Sequence, residues 1–98
     1  MARQLVDNSS AVRIRRAKGC LIIFQNNNAA SDVYLSFDNM QLNSAAPNAT
    51  PDGIKLAKGG GTLQMYPFPG EIWARVDGAT ATGPIEINVE ADDSGQSR

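Results

Sequence analysis

Gly53-Ile54-Lys55-Leu56-Ala57-Lys58-Gly59-Gly60-Gly61, followed across Thr62 to Tyr66 by Gly70-Glu71-Ile72-Trp73-Ala74-Arg75-Val76, is the stretch that decides the fold. Ile54 and Leu56 alternate with Lys55, the period of a half-buried strand. The three glycines then make a permissive turn. Leu63 and Met65 continue an inward face, and Pro67 and Pro69, which cannot donate to a ladder, mark a corner or edge crossing. Ile72, Ala74 and Val76 alternate with Glu71, Trp73, Arg75 and Asp77, so the inward face comprises Ile54, Leu56, Leu63, Met65, Ile72, Ala74 and Val76. Trp73 falls on the opposite face. It either covers a second apolar layer within the domain or lies at a subunit contact, where tryptophan is enriched.

The same reading extends outward. Val12 and Ile14 alternate with Arg13 and Arg15, giving a strand with one apolar and one basic face, and Lys18-Gly19 turns the chain. Cys20 to Gln25 is a continuous apolar, β-branched run bounded by Gly19 and Asn26-Asn27-Asn28, which predicts a central buried strand. Val33, Leu35 and Phe37 alternate with Tyr34, Ser36 and Asp38, and the two runs are expected to pair as a hairpin. Asn39 to Asp52 has no periodicity and reads as a long surface loop anchored by Met40 and Leu42, of a length that often carries function. Ile85, Ile87 and Val89 alternate with Glu86, Asn88 and Glu90.

The expectation is an all-β fold: one small β-sandwich or barrel of about seven short antiparallel strands with no helix. Residues 1–10 read as an N-terminal arm, 11–90 as the domain and 91–98 as a polar acidic tail. A domain of 98 residues has a thin core, and with a lone cysteine it has no disulfide framework to reinforce it. Stabilisation by oligomerisation is therefore expected. Cys20 opens an apolar run and reads as a buried thiol. No secretory segment and no apolar window long enough to cross a bilayer is present, so a soluble protein made in a reducing cytoplasm is expected.

Net charge is −1, but it is unevenly spread. Residues 1–18 hold Arg3, Arg13, Arg15, Arg16 and Lys18 against Asp7, a net +4, and residues 76–98 hold Asp77, Glu86, Glu90, Asp92 and Asp93 against Arg98, a net −4. Exchange of an arm or tail between subunits would match the two. Arg13, Arg15, Arg16 and Lys18 form a basic face, yet no aromatic residues are interleaved with it, so nucleic acid is not the expected partner.

Catalysis is not expected. There is no histidine to act as general base or metal ligand, or to activate Cys20. Glu86 with Glu90, and Asp92 with Asp93, read as solvated acidic groups rather than an acid/base pair or a Ca²⁺ site. Gly59-Gly60-Gly61 leads into a strand and lacks the Lys-Ser or Lys-Thr of a phosphate loop. No cofactor or metal is called for.

Val33-Tyr34-Leu35-Ser36-Phe37-Asp38, Gly53-Ile54-Lys55-Leu56-Ala57-Lys58-Gly59, Gly70-Glu71-Ile72-Trp73-Ala74 and Ile85-Glu86-Ile87-Asn88-Val89-Glu90, in that order, resemble motifs of small structural proteins encoded by tailed phages and prophages. The resemblance spans roughly Cys20 to Glu90. It implies a non-enzymatic β-sandwich component of the virion: a decoration or cement protein on the capsid surface, a head-fibre base, or a neck or tail protein. The implied partners are the chain itself, as a homo-oligomer such as a trimer, and a major capsid or other virion protein, with no membrane involved. The chain departs from the pattern in its basic N-terminal segment and its long Asn39 to Asp52 connection, where its own contacts are expected. Arg13, Arg15, Arg16, Met40, Leu42 and Trp73 are therefore the candidate assembly residues. A different class, a carbohydrate- or nucleic-acid-binding module, would use Trp73, Tyr66 and Tyr34 as stacking groups.

Overall fold

A computed structural model describes residues 2–14, 21–65, 71–81 and 83–92. Eight strands and one short helix are built from them: β1 (Ala2–Val6), β2 (Val12–Arg13), β3 (Leu21–Asn26), β4 (Val33–Ser36), α1 (Asn39–Asn43), β5 (Ile54–Leu56), β6 (Gly61–Met65), β7 (Trp73–Val76) and β8 (Ile85–Asp92). They form two four-stranded antiparallel sheets, ordered β1-β8-β3-β6 and β2-β7-β4-β5. Strand β1 pairs with β8, β2 with β7, β3 with β6 and β4 with β5. The chain is thus one long hairpin, folded back at the β4–β5 connection and wrapped so that the paired strands fall alternately into two sheets. This is the jelly-roll arrangement of a β-sandwich.

Between the sheets lies the core that the alternation dictates. Val6, Ile22, Phe24, Ile87 and Val89 come from the first sheet, and Val33, Leu35, Leu56, Ala74 and Val76 from the second, joined by Ile14 and Ile72 beside β2 and β7. Burying a large aliphatic or aromatic side chain contributes roughly 1.5–3 kcal/mol, and these side chains converge on one cluster. Ile54 departs from expectation. It shares the inward face of β5 with Leu56, but it stands at the open end of a three-residue edge strand and remains 46% exposed. The side chain of Met65, the Pro67–Gly70 corner, the Lys18-Gly19 turn and Cys20 lie outside what is described.

Four expectations are corrected. The N-terminal arm is in large part β1, whose Ala2–Val6 pairs rung for rung with Val89–Ile85, which brings the strands among the described residues to eight, in keeping with the expected sandwich of about seven. This pairing sets Arg3 of the basic segment 3.9 Å from Glu86 of the acidic one within one molecule. Strands β3 and β4 are not a hairpin: they lie in opposite sheets. Asn26 explains why. Its buried side-chain amide donates to Ser31 O and Leu56 O, and its carbonyl accepts from Asn28 N, which sends the chain across the sandwich end instead of back along β3.

The Asn39–Asp52 loop begins as a five-residue helix, capped by Asp38, whose carboxylate accepts from Met40 N at 3.0 Å. Such a side-chain cap satisfies an otherwise orphaned helix donor. Finally, strand β8 continues through Ala91 and Asp92, so the first two residues assigned to the tail belong to the sheet. The rest of that tail, 93–98, is outside the described residues.

Candidate assembly surface

Arg75 organises this part of the molecule. It sits on the outward side of β7, where a solvated charge would be expected, yet it is fully buried. Its Nε donates to Asn8 O at 3.2 Å, Nη1 donates to Leu42 O at 2.6 Å and Ala45 O at 2.9 Å, and Nη2 donates to Ala46 O at 2.6 Å. A planar guanidinium suits this role because its donors diverge in a fixed fork. α1 and the segment after it are thereby held over the outer face of the second sheet.

Other contacts pin the same cover along its length. Asn43 Oδ1 accepts from Ala11 N at 2.7 Å, and Ser36 Oγ donates to Gln41 Oε1 at 2.5 Å. Thr50 Oγ1 donates to the carboxylate of buried Asp77 at 2.8 Å. A Cβ on Gly78 would lie only 2.1 Å from Pro47 O, so the cover can seat this closely only over a glycine. Leu42 is fully buried beneath the cover. It is consequently an anchor and not an assembly residue, which corrects its place among the candidates.

The end of this sheet presents a continuous strip. Arg13 on β2 is opposite Trp73 on β7, Trp73 is opposite Ser36 on β4, and Ser36 leads through Gln41 to an open groove of about 390 Å³ lined by Leu35, Phe37, Gly53 and Ile54 among others. On α1, Met40 precedes the groove-lining Gln41 and is 73% exposed, Phe37 is 57% exposed, and Trp73 is half-buried. The exposed Arg13 has Glu71 at 3.8 Å. The structure therefore makes two of the candidates, Arg13 and Trp73, cross-strand neighbours at one end of the second sheet, with Met40 exposed on α1, which packs against β4 and β7 of that sheet. Arg15 and Arg16 lie outside the described residues. Phe37 and Ile54, read from sequence as strand residues, belong to the same surface.

Tyr34 lies on the outer face of β4, diagonal to Trp73, and α1 with its following segment packs against β4 and β7. Burial, and then the carboxylates of Asp77 and Asp32, raise the Tyr34 phenol above its usual value, with Lys55 opposing. On the first sheet, Arg3 of β1 and Glu86 and Asn88 of β8, with Asn27 and Asn28 after β3, line a polar depression of about 250 Å³. Among the described residues no group of three His, Cys, Asp or Glu side chains is placed to hold a metal ion, and no helix is long and apolar enough to cross a membrane.

Comparison with protein-family models, with curated proteins and with solved structures found no match for this chain.

Proposed function

We propose that this chain is a non-enzymatic structural protein of a phage virion, a capsid decoration or cement protein that binds the outer shell as a homo-oligomer and stabilises it. The observation that carries the reading is the Arg13–Trp73–Met40–Phe37–Ile54 strip. It concentrates arginine, aromatic, methionine and aliphatic side chains, the types enriched at the centres of protein interfaces. Its base is held in one conformation by the buried Arg75, so little ordering entropy is lost on docking. A jelly roll serves shells and ligand-binding domains alike, so the surface and the resemblance in the β4, β5, β7 and β8 segments carry the reading, and the topology does not.

Co-sedimentation with shells lacking the chain tests it. Met40→Glu combined with Arg13→Glu alters two exposed positions, should leave thermal stability unchanged, and should weaken shell binding at least tenfold. Native-like binding by that double variant, or failure of the unmodified chain to bind shells, would count against the proposal. A neck or tail protein would use the same surface at a single vertex instead of across the shell. The polar depression at Arg3, Asn28 and Glu86 supports the rival ligand-binding reading, which predicts chemical-shift changes at Asn88 on titration with oligosaccharides.

A further inference from the structure

We propose that Asp52 is a self-modification site: the folded chain converts Asp52-Gly53 to an isoaspartyl linkage while shielding its other Asp-Gly dipeptide, Asp77-Gly78, from the same change. The sequence contains two such dipeptides. Both are chemically suited to the reaction, because glycine has no side chain to hinder approach of its backbone nitrogen to the preceding carboxyl group. Gly53 N forms a bond to Asp52 Cγ, and the carboxyl hydroxyl leaves with the amide proton as water, closing a five-membered succinimide. Water then adds back. Attack at Cγ breaks the new bond and restores aspartate. Attack at the Asp52 backbone carbonyl carbon breaks the original peptide bond and leaves the chain running through Cβ and Cγ, one methylene longer. No oxidant, reductant or cofactor takes part, and the mass is unchanged.

The two sites differ in their surroundings. Asp52 and Gly53 are both exposed, and among the described residues nothing is hydrogen-bonded or ion-paired to the Asp52 carboxylate. Gly53 leads into β5, a three-residue edge strand, and short exposed edges open locally at little cost. Asp77 is buried, and one oxygen of its carboxylate accepts from Thr50 Oγ1 at 2.8 Å and from Ala79 N at 3.0 Å. Its backbone N donates to Asp32 O, and its backbone O accepts from the amides of Thr80 and Ala81. Gly78 is buried as well, with Pro47 O 2.1 Å from where a Cβ would stand. Closing the ring at Asp77 therefore requires the cover held by Arg75 to lift first, and closing it at Asp52 does not. The change at Asp52 falls on the groove, which Asp52, Gly53 and Ile54 all line. A Cβ built on Gly53 would lie 2.8 Å from Leu35 O and 3.1 Å from Leu42 Cδ2. The backbone is that close to β4, so an added methylene bows it outward and carries Ile54 with it.

The test needs no particle and is independent of shell binding. The full chain is held folded in mildly acidic buffer, where the neutral carboxyl attacked in the first step is populated, and a second portion is held in urea. Samples taken over weeks are digested with trypsin, and isoaspartate is located by electron-transfer fragmentation of the peptides bearing residues 52 and 77. In the folded chain residue 52 should isomerise at least tenfold faster than residue 77, whose reaction waits on local opening. In urea, with the cover gone, the two rates should become comparable. Asp52→Glu, which would have to close a less favourable six-membered ring, should abolish the product at residue 52. Equal rates at the two sites in the folded chain, faster change at residue 77, no isoaspartate at residue 52, or a difference that persists in urea would overturn the proposal.

Discussion

Replacing Arg75 by methionine keeps most of the side chain's apolar length and removes its fork of donors. Four hydrogen bonds from a charged group are lost, to Asn8 O, Leu42 O, Ala45 O and Ala46 O. Each is worth roughly 1.5–3 kcal/mol net of water in ordinary settings, a gross loss of about 6–12 kcal/mol. Against this, the folded state no longer holds an arginine stripped of its hydration, a cost of several kcal/mol. Ala46 is exposed, so its carbonyl regains water, whereas the bond to Leu42 O is buried and its acceptor does not.

The balance is a destabilisation of about 3–5 kcal/mol, a large share of the 5–15 kcal/mol typical of a domain. Arg75→Lys should cost about 2 kcal/mol, because a single ammonium cannot span carbonyls on two separate segments. Urea unfolding followed by Trp73 fluorescence measures both, and amide exchange locates the effect. Protection should fall first at Leu42, Ser44 and Ala49. A change under about 1 kcal/mol in Arg75→Met, with exchange in residues 39–51 unaltered, would refute the idea that this arginine holds the cover.

Gly78→Ala should lower stability by at least about 2 kcal/mol in thermal melts, since the added methyl group meets the Pro47 carbonyl oxygen and backbone must shift to admit it. Asn26→Leu should cost about 2–4 kcal/mol in the same assay, because it leaves Ser31 O and Leu56 O without their donor and Asn28 N without its acceptor. Tyr34 has its folded-state pKa raised, chiefly by burial. Its neutral form therefore contributes stability that is fully present below the unfolded value near 10 and is lost as pH rises through the folded value. Stability measured across the alkaline range should fall less steeply in Tyr34→Phe, and identical slopes would dismiss the assignment.

The sheet residues were largely legible because their periodicity is local. Ile72, Ala74 and Val76, or Ile87 and Val89, announce their face within a few positions, and all are buried. β1 was not, because its inward side holds Gln4 and only one strong apolar residue, Val6, and it is a strand by virtue of β8 beside it. The assignment of β3 and β4 to opposite sheets was hidden for a different reason. Adjacent apolar runs suggest a hairpin, and only the seven-residue Asn26 to Asp32 connection, too long for a tight turn, pointed elsewhere.

Arg75 was the largest omission from the site. An outward charge on a strand reads as solvated, and what buries it is a loop some thirty residues earlier in the chain. The small residues of that loop, Ala45, Ala46 and Ala49, were the available hint, since they let a backbone lie close over a sheet. Met40 and Leu42 were likewise inseparable by residue type. Their division into one exposed and one buried side chain follows from the helical turn begun at Asp38, which sends them to different sides of α1.

Electron microscopy of particles assembled with and without this chain tests the proposed role most directly. Expected is added density repeated over the outer shell, with the end of the second sheet that bears Arg13 and Trp73, and Met40 of α1, turned toward the capsid. Particles with identical surfaces in both preparations, and the chain recovered unattached, would contradict it.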